Sequence, residues 1–288
     1  MLLTKISRRP SRDDDVGRLP TFLIIGAQRA GTTSLTRYLD EHPQIYMYRA
    51  KEARFFDRHY GRGLDWYRSL FREAASGSEL GEASPNYMYD EAAVPRMAEA
   101  VPNARLVAIL RNPVDRAYSH YWLLRALERE PMSFAAAVRA ESEPIHAGFT
   151  SPGPRSYLDR GRYLRQLQHV CRYYPRQALH VLLFEDLRQR PEETFAELCR
   201  FLGVHDCFQP TMLGRQVNSH VTFHSVRLRD STRNLPQPLR NLIGRFNTRP
   251  APYPPMDPGL RADLQRLFEP DNAALATWLG RDLSVWAS

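Results

Sequence analysis

The stretch from Thr21 to Asp40 constrains the fold more than any other. Thr21-Phe-Leu-Ile-Ile25 is a continuous apolar run, the pattern of a strand buried on both faces of a parallel sheet, and Gly26 ends it. From Thr33 to Asp40 apolar residues recur at helical spacing (Leu35, Tyr38, Leu39), and the pattern stops before Pro43. The order is strand, glycine-bearing loop, helix. Arg105–Leu110 repeats it as a second buried strand, followed by a helix over Pro113–Leu127. Further along, the pattern predicts a helix over Tyr157–Tyr174, a third strand over Ala178–Phe184, and a helix over Pro191–Leu202 closed by Gly203. Pro236–Pro258 reads as a long proline-rich loop, and Pro258–Trp278 as one more amphipathic helix or helix pair. Strands alternating with helices imply an α/β fold of three layers, a central parallel sheet flanked by helices. The 288 residues suit one domain, 21–288, behind a polar tail, 1–20, that is expected to be flexible.

Composition narrows the function. With 43% hydrophobic and 25% charged residues the chain is neither disordered, collagenous nor a disulfide miniprotein. A net charge of +8 suggests an anionic partner: nucleic acid, an acidic lipid surface, or a small molecule bearing phosphate or sulfate. The excess is almost wholly arginine, with lysine only at Lys5 and Lys51. No basic helix or aromatic-studded sheet motif accompanies it, which argues against nucleic acid. The first residues lack the apolar core of a signal peptide, and no apolar run approaches the ~20 residues of a membrane span. Cys171, Cys199 and Cys207 follow no metal-binding spacing, and a zinc site at Cys199, His205 and Cys207 would want a fourth ligand. The expectation is a cytoplasmic chain with reduced thiols and no metal.

Three constellations carry the chemistry. The first is Gly26-Ala-Gln-Arg-Ala-Gly31-Thr-Thr-Ser34, between the first strand and its helix. Its glycines have the spacing of a Walker A phosphate loop, and backbone N–H groups at a helix start hold anions. Thr32 stands where that motif has its lysine, and the cation sits inside the loop at Arg29. The second constellation follows the strand Arg105–Leu110. Arg111 occupies the carboxyl end, where open α/β sheets bind ligands, and a nucleotide kinase would want a magnesium-holding acid there. Asn112 is a good N-cap, Pro113 a good first helical residue, and Ser119 lies two turns along. An arginine and a hydroxyl converging there suit a second phosphate. The third is Lys51-Glu-Ala-Arg-Phe-Phe-Asp57, in which the paired phenylalanines should anchor Glu52 near apolar rings. Such surroundings raise a carboxylate toward a general-base value, while Lys51 and Arg54 oppose the rise.

Taken in order, the segments IIGAQRAGTTSL, EHPQI, KEARFFD, HYGRGLDWYRSLF, GEASPNYMYD, LVAILRNPVDRAYSHYW and LLFEDL, with the C-terminal MDPGLRADLQRLFEPDNAALATWLGRDLSVW, resemble a known family. It is the sulfotransferases that use 3′-phosphoadenosine 5′-phosphosulfate (PAPS), and the likeness is greatest to the heparan sulfate N- and 3-O-sulfotransferase branch. The resemblance implies the P-loop-like sulfotransferase fold and sulfuryl transfer from PAPS to a hydroxyl or amine of a carbohydrate or natural product. It implies that Gln28, Arg29, Ala30, Gly31, Thr32, Thr33 and Ser34 hold the 5′-phosphosulfate, and that Arg111 and Ser119 hold the 3′-phosphate. Glu52 falls on the branch's catalytic base, Asp57 on a supporting acid, and Arg29 on the loop's usual lysine, as a catalytic cation that cannot release a proton near neutral pH. His42, His59 and His120 are the rival bases. Arg54 stands where the 3-O enzymes have histidine, Ala83 replaces a lysine, and the branch's C-terminal disulfide loop is absent. A metal-dependent nucleotide kinase, or a non-catalytic nucleotide- or nucleic-acid-binding protein, is the competing reading.

Overall fold

In the computed structural model, which describes residues 17–50, 52–142, 156–214, part of 221–250, and 253–287, five parallel strands form one sheet. They are β1 (Phe22–Gly26), β2 (Ile45–Met47), β3 (Glu79–Ala83), β4 (Arg105–Leu110) and β5 (Leu179–Leu183), in the spatial order β2-β3-β1-β4-β5. β1 is buried at every residue and β4 at all but its first, so both faces of the sheet are covered, as continuous apolar strands require. The described helices are α1 (Thr32–Asp40), α2 (Gly63–Ser69), α3 (Ala93–Ala100), α4 (Pro113–Ala126), α5 (Phe134–Ser142), α6 (Tyr163–Val170), α7 (Phe184–Gln189), α8 (Pro191–Leu202) and α9 (Pro258–Leu279). Two short strands, β6 (Val221–Phe223) and β7 (Thr248–Pro250), pair antiparallel apart from the main sheet.

The chain leaves β1 toward β2 on one side, returns through β3, and then crosses to β4 on the other side. That reversal opens a crevice at the carboxyl end of β1, between the Gly26–Gly31 loop and Arg111 at the end of β4. The α4 start is firmly built. Asn112 Oδ1 accepts from the N–H groups of Val114 (2.9 Å) and Asp115 (3.3 Å), while Asn112 Nδ2 donates to the Trp286 carbonyl at 3.0 Å.

Several expectations need correction. β2 and β3 lie where no strand is expected, and a π-helical turn spans Phe55–His59. The helix expected over 157–174 is broken into a 3₁₀ turn, Asp159–Gly161, and α6. Gly161 packs so closely that an added Cβ would lie 2.8 Å from the Phe268 ring, so the chain bends there around α9. The expected loop 236–258 contains β7, and part of it lies outside the described residues. α9 is a single helix with Pro270 inside it. Residues 1–16 of the tail lie outside the described residues, as does Lys51. Leu19 packs on the core, and Arg18 donates to the Ala75 carbonyl at 2.8 Å.

A carboxyl side chain lies wholly inside this frame. Glu82 of β3, opposite Leu23 of β1, has no exposed surface. Its Oε1 accepts from the Tyr67 hydroxyl at 3.0 Å and its Oε2 from Ser84 Oγ at 2.9 Å. Burial pushes the Glu82 carboxyl up to about 7, against hydrogen bonds from Tyr87, Ser84, Tyr67 and the Ala53 N–H that pull it down.

Two predictions follow from these placements. Asn112→Ala should lower unfolding stability by about 1–2 kcal/mol in urea titrations, through loss of the α4 cap. A raised Glu82 keeps its proton in the folded state where the unfolded chain has released it. Its contribution to stability is therefore full below the unfolded value of 4.5 and is lost as pH rises through about 7. Denaturation at a series of pH values should show stability falling across that window, with a flatter slope in Glu82→Gln.

Candidate active site

The loop between β1 and α1 is shaped for an anion. Gly31, the residue before α1, has φ 103°, and no side chain caps the helix, so its first N–H groups are left to other partners. A Cβ at Gly31 would lie 2.9 Å from the Phe184 ring, so glycine is required both for its backbone angle and for this contact. Ala30 is buried, its N–H bonded to the Ala27 carbonyl at 3.1 Å. Thr32 is buried, Ser34 half-buried and Thr33 exposed. Gln28 is half-buried, with an Oε1 that has no hydrogen-bond partner among the described residues.

Arg29 joins the first two constellations. It has a left-handed backbone, φ 73°, and its Nε donates to Ser119 Oγ of α4 at 3.1 Å. Arg111 Nη1 donates to the Arg29 carbonyl at 3.4 Å, and the Arg111 guanidinium lies 4.9 Å from the centre of the Phe184 ring. Residues separated by some ninety positions thus share one cluster. Burial lowers the Arg29 guanidinium from its ordinary value; the Arg111 and Arg116 cations add to this, and Tyr253 opposes it. Beside the cluster a polar cavity of about 330 Å³ is lined by Arg111, Asn112, Phe184, Glu185 and Arg188, among others.

The third constellation is close to the first two through side chains that the sequence reading did not single out. Asp57 pairs with Arg54, and its Oδ2 also accepts from Asn86 Nδ2 at 2.9 Å. Asn86 Oδ1 accepts from Arg160 Nη1 at 2.9 Å, and the Arg160 guanidinium stacks 4.0 Å from the Tyr89 ring centre. Arg160 is nearly buried, and desolvation lowers it to about 10. Arg116 is wholly buried, donates to the Tyr157 carbonyl, and keeps Nε and Nη1 without a hydrogen-bond partner among the described residues. Asn86 appears in the segment GEASPNYMYD, yet nothing local marks it as a bridge to Arg160. Arg160 and Arg116 look like ordinary helix arginines in the sequence.

The carboxyls and histidines separate by environment. Glu52 is exposed, at the open edge of the segment, while Phe55 and Phe56 behind it are fully buried. Burial raises the carboxyls of Glu82 and Glu141, which lie outside the Lys51–Asp57 segment. His120 is buried, and desolvation together with the Arg116, Arg160 and Arg29 cations drives it well below its ordinary value, so it is neutral. His42 is buried, with Nε2 2.9 Å from the His205 carbonyl and Nδ1 accepting from the Gln44 N–H. His59 is exposed, edge-on to Trp66. Arg58, Arg62 and Arg72 are exposed, and Arg62 covers Trp66 at 4.3 Å. Tyr67 and Tyr87 are core residues. Among the described residues no helix is long and apolar enough to cross a membrane.

Known proteins resemble the chain over most of its length. The sulfotransferase domain model matches residues 19–234. The chain is 32% identical over 292 residues to the bifunctional heparan sulfate N-deacetylase/N-sulfotransferase 3 of Mus musculus, covering 96% of this chain and 32% of that one. It is 30% identical over 270 residues to heparan sulfate glucosamine 3-O-sulfotransferase 6 of Homo sapiens, covering 92% and 73% respectively. The chain therefore spans about a third of the length of the first of these relatives. Among solved structures it is similar to a sulfotransferase from Alicyclobacillus acidocaldarius, with a TM-score of 0.72 and 30% identity over 94% of this chain and 100% of that one. A uniformly parallel main sheet, an uncapped loop-to-helix turn with a part-buried arginine, and these likenesses agree: the chain belongs to the sulfotransferase family.

Proposed function

We propose that this chain transfers the sulfuryl group of PAPS to a hydroxyl or amine of a carbohydrate or natural-product acceptor, releasing 3′-phosphoadenosine 5′-phosphate. One observation carries the reading: Arg29 ties an uncapped helix start to a second anion grip, through its Nε on Ser119 and its carbonyl on Arg111. A donor with phosphates at both ends of a ribose needs two such grips, whereas a nucleoside diphosphate needs one. The residues fit that donor. Gln28 to Ser34 would hold the 5′-phosphosulfate, with Arg111 and Ser119 on the 3′-phosphate, and Gly31 leaves no side chain in the way.

The donor supplies an activated sulfur whose bond to the bridging phosphate oxygen breaks as the acceptor atom bonds to sulfur. Glu52, which is exposed, takes the proton that the acceptor atom loses. Arg29 and the loop N–H groups stabilise the negative charge that develops on the departing phosphate. Asp57, held by Arg54 and Asn86, fixes the segment that carries Glu52. Electrostatic positioning by guanidinium and amide groups takes the place a metal holds in nucleotide kinases, since Arg111 stands where those enzymes keep an acid. The names of two relatives favour a glucosamine-bearing polysaccharide as the acceptor class.

Calorimetric titration in EDTA should show tight binding of 3′-phosphoadenosine 5′-phosphate and weak binding of ADP, with the preference lost in Arg111→Ala. Equal affinity for both nucleotides would overturn the donor assignment. With labelled PAPS and an active acceptor, Arg29→Ala should lower kcat by roughly 10²-fold or more. Glu52→Gln should keep nucleotide binding and lose transfer, and normal turnover in that variant would remove Glu52 as the base.

A further inference from the structure

We infer that Glu82 is a positioning residue: a buried carboxyl that, with the hydroxyls of Tyr67, Ser84 and Tyr87, fixes the backbone of the segment bearing Glu52 and Asp57. The inference rests on the sulfotransferase reading of that segment and adds a residue to it.

The hydrogen bonds run from the core outward in two branches. In one, Glu82 Oε2 accepts from Ser84 Oγ at 2.9 Å, and Ser84 Oγ accepts from the Arg54 N–H at 3.0 Å. In the other, the Tyr87 hydroxyl, which together with the Ala53 N–H helps pull the Glu82 carboxyl down, accepts from the N–H groups of Phe55 (2.8 Å) and Phe56 (3.4 Å). Three consecutive amides, Arg54 to Phe56, thus end on hydroxyls gathered around one carboxyl. This matters because the segment belongs to no strand and turns sharply: Arg54 has φ 51°, and a π-helical turn begins at Phe55. Without sheet or ordinary helix bonds, these amides would otherwise be unsatisfied in a buried setting.

The groups facing Glu82 come from several elements. Tyr67 is on α2, Ser84 and Tyr87 follow β3, and Tyr48 follows β2. All are neutral donors, and a carboxyl among them accepts several bonds at once. A carboxamide at that position can accept on only one of its two heteroatoms, so it must release Ser84 or the segment amides. With the anchor released, Glu52 would stand less firmly before an acceptor, while the Gly26–Ser34 loop, on a different strand, would be unaffected.

The test uses the full chain with Glu82→Gln and Ser84→Ala. Both should bind 3′-phosphoadenosine 5′-phosphate within about twofold of the parent and keep its donor KM. Their kcat should fall roughly 10- to 100-fold, and neither should add much to the loss in Glu52→Gln. Hydrogen exchange should quicken at the amides of residues 53–56 and stay unchanged at 31–35. Parent-like kcat or parent-like exchange at 53–56 in both variants overturns the inference, as does an equal loss of nucleotide affinity and kcat. If Glu82→Gln does not fold, Ser84→Ala and Tyr87→Phe decide by the same readings. If the parent neither binds the nucleotide nor turns over PAPS, the functional reading fails. Exchange at 53–56 then still reports whether the anchor exists.

Discussion

Concentrated positive charge under the carboxyl edge of the sheet is the constraint from which the rest follows. Arg116 lies within electrostatic range of Arg29, Arg111 and Arg160, and burial lowers Arg29, Arg116 and Arg160. Each is held by a neutral group: Arg29 by a serine hydroxyl, Arg116 and Arg111 by carbonyls, and Arg160 by an asparagine oxygen and a tyrosine ring. The carboxyls of Glu141 and Asp159 oppose the lowering of Arg116 and Arg160, yet the groups that hydrogen-bond these cations are dipoles, which leave their charge in place where a direct carboxylate pair would neutralise it.

The parallel sheet makes this concentration possible. Because β1 lies between strands reached in opposite directions, its loop and the end of β4 face each other across the crevice. The Asn112 cap sets the direction of α4, and hence the position of Ser119, against Arg29. On the other side of β1, β3 brings Glu82 beneath the Glu52–Asp57 segment. The central strand thus governs both the anion grips and the acid-bearing segment, one through each neighbour.

Much of this was legible in the sequence where local chemistry was unambiguous. β1, β4 and β5 are apolar runs, and Asn112-Pro113 announces a helix start. β2 has only three residues, and β3 reads Glu-Leu-Gly-Glu-Ala, whose charges suggest a surface turn. Its second glutamate is buried where Ser84, two residues on, and Tyr67, 15 residues back, satisfy it, and the partner on another element leaves no trace in a local window. The same holds for the link from Asp57 through Asn86 to Arg160, which spans 74 positions at its second step. The Arg29, Arg111 and Ser119 grouping could be anticipated because phosphate chemistry imposes recognisable loops at strand ends; distant side-chain bridges obey no comparable grammar.

The bond from Asn112 to the Trp286 carbonyl has a consequence for how the protein is made. The two residues are 174 positions apart, yet one completes the helix start that the other anchors. A ribosome delivers β1, its loop and all of α4 long before it delivers Trp286. During synthesis the crevice beside β1 is therefore assembled without its final bolt, and it is locked only when the turn at Ser284–Trp286 docks. Truncation near residue 286 would thus be felt at the crevice, on the far side of the sequence but next door in space.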